Sequence, residues 1–357
     1  MILALALAGA LLPPAQAAAA PGAAAKKEFA AGVRSYRRLD LRGALEHFDA
    51  AIAAFPGWKT ASGFRAACRA WLGDAAGARA DAALAAKLKP MDAQSYAARG
   101  KARLVLIDPD GALADFRAAE KADASSAGGA IGAGEALLAL AKTREALASL
   151  ESAVRADPKS AEALRLRGAA KERRKDFAGA SEDYGAVLEI NPNFSPAHLS
   201  RGKALRELKD YRGAERELSA FLASAPDDAD AGYLRGNVRY LLGDFRGAEA
   251  DLSKVIELDP RRALAYSNRG LARGRLGDRD GGLSDLRKAL ELDPSRRDKI
   301  QAAIDSLSGA TSAPAPRAGA AAAPSRAAAP APAKTAAEAA APAPERHSGE
   351  EDSAFIQ

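Results

Sequence analysis

Six arginines recur along the chain, each followed sixteen residues later by a carboxylate. They are Arg65 with Asp81, Arg99 with Asp115, Arg167 with Asp183, Arg201 with Glu217, Arg235 with Asp251, and Arg269 with Asp285. Such pairs either line a cleft that takes an anionic ligand or close into a bidentate structural fork. The side chains of covalent and acid–base catalysis are scarce. Cys68 is the single cysteine, and His47, His198 and His347 are the three histidines. One thiol excludes an internal disulfide framework and any multi-cysteine metal site. No nucleophile signature stands beside His47 or His198, so neither a catalytic role nor a cofactor is expected.

The elements that hold these pairs are set by a strict repeat. Pro56, Pro90, Pro158, Pro192, Pro226, Pro260 and Pro294 fall at intervals of 34 residues, with Ala124 in the one missing slot. Setting that slot as position 32 divides residues 25–296 into eight repeats without insertion or deletion: Ala25–Trp58, Lys59–Asp92, Ala93–Ser126, Ala127–Ser160, Ala161–Phe194, Ser195–Asp228, Ala229–Arg262 and Ala263–Arg296. Positions 1–14 and about 18–31 carry helical apolar spacing. A breaker such as Gly73-Asp74, Gly243-Asp244 or Gly277-Asp278 separates them. Proline at position 32 ends the second helix, because it lacks an N–H and its ring clashes with the preceding turn. Position 8 is Gly or Ala, and position 20 is Ala in all but Gly282. These small residues are expected to face one another and bring two antiparallel helices close. One hairpin cannot bury its own apolar face, so the repeats must stack.

In such a hairpin positions 7 and 23 lie at nearly the same height, so the six Arg–carboxylate pairs are expected as intra-repeat bridges. The two repeats without the arginine, at Ala31 and Ala133, also lack the acid, carrying His47 and Ser149. Spacing alone predicts that reversing a pair, as Arg235→Asp with Asp251→Arg, restores the stability each single change removes. The fourth repeat differs further. Gly128, Gly129, Gly132 and Gly134 crowd its first helix, where interior glycine is unfavourable by about 1 kcal/mol. A soft joint between repeats 1–3 and 5–8 is expected there.

The period, the small residues at positions 8 and 20, Ala at position 27 in five repeats, the proline and a large residue at position 24 (Phe48, Phe116, Leu150, Tyr184, Leu218, Leu252, Leu286, with Ala82 the exception) resemble the tetratricopeptide repeat family. The resemblance implies an all-α, right-handed superhelical solenoid whose concave face binds peptides or partner proteins. Arg297–Leu307 reads as a capping helix over residues 297–308, with Ile300, Ile304 and Leu307 on its covering face. Carried over by register, the resemblance lines the groove with Tyr36, Arg37, Phe64 and Trp71 at one end. Lys101, Arg165, Arg173, Lys203 and Arg206 form a basic middle, and Tyr233, Asn237, Tyr240, Asn268 and Arg275 follow. The implied function is a non-catalytic scaffold for protein segments.

An anionic polymer, an envelope glycan or nucleic acid, is the alternative ligand for that basic middle. Lys and Arg number 52 against 46 Asp and Glu, a net charge of +6. These bases are dispersed among acids and form no dense stripe, which argues against nucleic acid. Aromatic content of 5% with abundant Ala also argues against a β-sandwich or barrel.

The ends of the chain read separately. Ile2–Leu12 is an apolar run too short to span a bilayer, followed by an Ala-x-Ala site, and residues 1–17 are expected to be a secretory signal peptide with 18–24 as linker. The protein is accordingly expected to be exported, periplasmic or secreted. Residues 309–344 form an Ala/Pro-rich tract expected to be disordered, and 345–357 an acidic tail ending in a Phe-Ile pair and Gln357.

Overall fold

The computed structural model describes residues 20–309, and the expected signal peptide, most of the Ala/Pro tract and the acidic tail lie outside them. Among the described residues the regular structure is helical. The first helices of the eight repeats are α1 (Ala23–Arg37), α3 (Lys59–Trp71), α5 (Ala93–Val105), α7 (Ala127–Ala139), α9 (Ala161–Arg173), α11 (Ser195–Glu207), α13 (Ala229–Leu241) and α15 (Ala263–Arg275). The second helices are α2 (Leu41–Ala54), α4 (Ala75–Ala85), α6 (Pro109–Ala122), α8 (Thr143–Ala156), α10 (Phe177–Ile190), α12 (Tyr211–Ser224), α14 (Phe245–Leu258) and α16 (Arg279–Leu292), and α17 (Arg297–Ser308) follows a short 3₁₀ turn. The chain divides into two compact units, residues 1–208 and 209–357. The N-terminal unit holds α1–α11 and the C-terminal unit α12–α17; each is described by itself.

The turn inside each repeat follows from two positions. Position 15 takes a left-handed backbone in all eight repeats, at Leu39, Gly73, Ile107, Ala141, Lys175, Lys209, Gly243 and Gly277, with φ between 58° and 87°. Glycine meets that demand without a steric cost; at Ile107, a β-branched residue, it is met under strain. Position 16 then caps the second helix. Asp40, Asp74, Asp108, Asp176, Asp210, Asp244 and Asp278 each accept a hydrogen bond from the backbone N–H of the glycine three residues on, at 2.8–3.1 Å. An Asp cap of this kind stabilises a helix by about 1 kcal/mol. The fourth repeat has Lys142 at this position and no side-chain cap.

Where position 8 is glycine and position 24 is large, the two lie in close contact within the hairpin. A Cβ added at Gly32 would stand 2.7 Å from the Phe48 ring, at Gly100 2.8 Å from Phe116, and at Gly168 2.9 Å from Tyr184. Gly270 and Gly282 approach each other across their hairpin in the way the sequence suggests. Phe48, Phe116, Leu150, Tyr184, Leu218, Leu252 and Leu286 are all buried. Each belongs to the core of its own unit. In the C-terminal unit α17 lays Ile300, Ile304 and Leu307 against Leu286 and Ala289.

The glycines of the fourth repeat have a packing reason. A Cβ at Gly129 would stand 2.8 Å from the backbone nitrogen of Glu120, and one at Gly132 would overlap the Phe116 ring. They let α7 close onto α6, and the division between units falls at Leu208, one repeat and a half further on. The expected soft joint is instead a tight seam.

Candidate functional site

Five of the six arginine pairs lie inside one unit or the other, and each forms a bidentate fork. Nε and Nη2 of Arg65, Arg99, Arg167, Arg235 and Arg269 donate to the two carboxylate oxygens of Asp81, Asp115, Asp183, Asp251 and Asp285 at 2.5–2.9 Å. Arg201 and Glu217 belong to different units. These carboxylates are buried, which makes the fork stronger than a surface pair. Donating to Asp81, Asp115 and Asp183 holds the guanidinium pKa of Arg65, Arg99 and Arg167 above its ordinary value.

Each of these acids also holds a second cation that the spacing argument missed. Position 11 supplies Arg69, Arg103, Lys171, Arg239 and Arg273, at 2.8–3.1 Å from Asp81, Asp115, Asp183, Asp251 and Asp285. A local signal was present, because those five repeats carry a base four residues after the position-7 arginine, although the sixth carries Leu205 there despite its Arg201 and Glu217. The arginines further clip neighbouring repeats together. Arg65 reaches Asp49, Arg235 Ser219 and Arg269 Ser253, while Arg239 reaches Glu215 and Arg273 Glu249. In the first repeat His47 pairs with Glu28 at 2.8 Å instead.

The second cation changes the outcome of charge reversal. Arg235→Asp or Asp251→Arg alone should each cost about 1.5–3 kcal/mol, the range for hydrogen bonds to charged groups. The double reversal places a new arginine beside Arg239, whose guanidinium now lies 3.0 Å from Asp251. Thermal unfolding should therefore show the double variant regaining less than half of the loss, and full recovery would contradict the shared carboxylate.

The groove residues of the N-terminal unit are brought together, but on one another. Tyr36, Phe64 and Lys101 are buried. The Lys101 ammonium lies 2.8 Å from Glu162, 3.8 Å from Glu135, 3.3 Å from the Tyr36 hydroxyl and 4.4 Å from the Tyr36 ring centre. Burial pulls the Lys101 pKa down, yet Glu162, Tyr36 and Glu135 outweigh it and the net shift is upward. Burial raises the Tyr36 hydroxyl. Contacts between distant repeats flank this cluster: Arg37 with Asp157 at 4.0 Å, Asn191 donating to the Leu39 carbonyl at 3.1 Å, and Trp71 against Phe194 at 6.1 Å. The first two repeats thus meet the fourth and fifth. Cys68 lies beside this cluster, its thiol pushed up to about 12 by burial, and so stays protonated.

The basic middle is engaged in the same way. Arg165 lies 4.7 Å over the Trp71 ring, Arg173 donates to the Leu138 carbonyl at 2.5 Å, and Arg206 pairs with Glu207; Lys203 is half-buried. In the C-terminal unit Tyr233, Asn237, Tyr240 and Asn268 are buried rather than open to solvent, while Arg275 is exposed, 5.9 Å from the Phe245 ring. Asn268 donates through Nδ2 to the Tyr233 hydroxyl at 3.0 Å and to Asn237 Oδ1 at 3.1 Å. Its own Oδ1 is buried and has no hydrogen-bond partner among the described residues.

Family models of the tetratricopeptide repeat match residues 131–196, 173–238, 236–277 and 263–296, which run together without a gap from 131 to 296. The three repeats before them show the same hairpins in the structure. The chain belongs to the tetratricopeptide repeat family, and such an array is a protein-interaction scaffold. Among solved structures, YrrB, described as a tetratricopeptide repeat protein with an unusual peptide-binding site, is 21% identical over 53% of this chain and 97% of its own, with a TM-score of 0.51. The Cut9–Hcn1 hetero-tetramer of the APC/C is 13% identical over 77% of this chain and 54% of its own, with a TM-score of 0.58. MamA from Desulfovibrio magneticus RS-1 is 26% identical over 48% of this chain and 96% of its own, with a TM-score of 0.45. The first two share the fold. No curated protein matches the chain in sequence. No described helix is long and apolar enough to cross a membrane.

Proposed function

We propose that the chain is a non-catalytic adaptor that binds an extended protein segment along α13 and α15 of its C-terminal unit. The observation that carries this reading is the Tyr233–Asn237–Asn268 cluster with its unpaired acceptor. A buried acceptor without a partner costs about 1–3 kcal/mol, which a backbone N–H of a bound segment would recover. In the N-terminal unit Lys101, Tyr36 and Glu162 satisfy one another, and Arg165 Nε, buried without a hydrogen-bond partner among the described residues, is a donor rather than an acceptor. YrrB, whose description includes a peptide-binding site, supports the ligand class. Engagement of Arg173 and Arg206 argues against the anionic-polymer reading. The apolar run Ile2–Leu12 and the Ala-x-Ala site support export to the cell envelope.

Random peptides selected by phage display against the chain test the binding surface. Asn268→Ala should weaken the selected peptides about tenfold, or 1.4 kcal/mol. The double variant Lys101→Met with Glu162→Gln should bind them unchanged. Loss on the Lys101→Met, Glu162→Gln variant and none on Asn268→Ala would reverse the assignment.

A further inference from the structure

The seventh repeat holds a slot that two other repeats fill with a tyrosine. At position 4 the third and eighth repeats carry Tyr96 and Tyr266, whose ring centres lie 6.0 Å from the Arg99 guanidinium and 5.6 Å from that of Arg269. Arg235 of the seventh repeat makes the same hydrogen bonds as Arg269, two to its aspartate and one to a serine of the preceding helix. Position 4 here is Gly232. Where the ring would sit there is a cavity of about 320 Å³, lined by Arg235 and by Leu222, Pro226, Val255 and Leu258 of the C-terminal unit. Leu258 stands on its rim, 40% exposed.

Val255 shows that the slot is not simply waiting for a local side chain. A Cβ on Gly232 would lie 3.2 Å from Val255 Cγ2, whereas the eighth repeat has Ala289 at the matching position. The ring must enter from outside the hairpin. We propose that the slot receives Phe355, the only aromatic residue of 310–357. Phe355 follows Gly309 by 46 residues (355 − 309). Wound as tightly as an α-helix, that stretch would still span about 69 Å. Between α17 and the α14 wall of the slot lie three helix-to-helix steps, each about 10 Å. The reach is ample. In the slot the phenyl ring stacks on the Arg235 guanidinium and packs on Val255 and Leu222, as Tyr266 stacks on Arg269, and Ile356 covers Leu258.

Replacing Phe355 by the photoreactive p-benzoylphenylalanine in the full chain tests this directly. Irradiation in dilute solution followed by peptide mapping should give intrachain cross-links to the peptides holding Leu222, Val255 and Leu258. Gly232→Tyr with Val255→Ala rebuilds the eighth-repeat arrangement inside the slot and should lower their yield about tenfold. Leu258→Gln, on the exposed rim, should lower it without relying on a refolded core. Cross-links mapped mainly to other helices, cross-links between two chains, or a yield indifferent to both variants would each overturn the assignment.

Discussion

Glu162→Gln is expected to lower the stability of the N-terminal unit by about 3–5 kcal/mol, the cost of stranding a buried charge. Lys101 is held among Glu162, Glu135, the Tyr36 hydroxyl and the faces of Tyr36 and Phe64, in a site that water scarcely reaches. Removing the Glu162 charge leaves the ammonium with Glu135 at 3.8 Å as its remaining ion partner. Lys101→Met should be nearly as damaging, because it strands Glu162, which is equally buried. The double variant Lys101→Met with Glu162→Gln strands neither and should recover most of the loss, since replacing a buried pair with neutral groups is often neutral or favourable. Urea unfolding of the three variants reads this out. Additive losses in the double variant would show that the two charges do not depend on each other.

Phe116→Ala should cost about 3–5 kcal/mol by urea unfolding, at the upper end for an aromatic core truncation. Phe116 is fully buried and is the residue against which two repeats close. Gly100 from its own repeat and Gly132 from the next both abut the ring. Truncation therefore opens a cavity at an inter-repeat seam as well as inside a hairpin, and little can collapse into it. The same geometry fixes the sign of a second change. In an exposed helix Gly132→Ala would stabilise by up to about 1 kcal/mol. Here the added methyl overlaps the ring and should destabilise by about 1–3 kcal/mol. A stabilising Gly132→Ala would mean that α6 and α7 are held apart after all.

Much of the fold was legible because the chain states the same solution eight times. The period, the hairpin and the position-7 to position-23 forks follow from a pattern confined to 34 residues. The second cation at position 11 was equally local, carried by the five repeats that pair arginine with aspartate and absent where the sixth pairs Arg201 with Glu217 and has Leu205. The fourth repeat misled because glycine content was read through helix propensity alone. Whether interior glycine softens a helix or seats it depends on the facing residue, here Phe116 and Glu120.

The candidate site was less legible for a different reason. Register correctly names Tyr36, Phe64 and Lys101 as residues on first helices, but their burial depends on how five repeats accumulate rotation. Only then does Glu162 of the fifth repeat come to meet Lys101 of the third. No pattern inside one repeat encodes that meeting. The Asn268 cluster is intermediate: the residues were named by position, while the unpaired Oδ1 required the packed side chains.

The most direct test of the adaptor reading is hydrogen exchange of the full chain with and without a tight-binding selected peptide. Slowed exchange should concentrate in α13 and α15, residues 229–241 and 263–275, with the helices around Lys101 unchanged. Protection centred on α1, α3 and α5, or protection in neither unit, would contradict it.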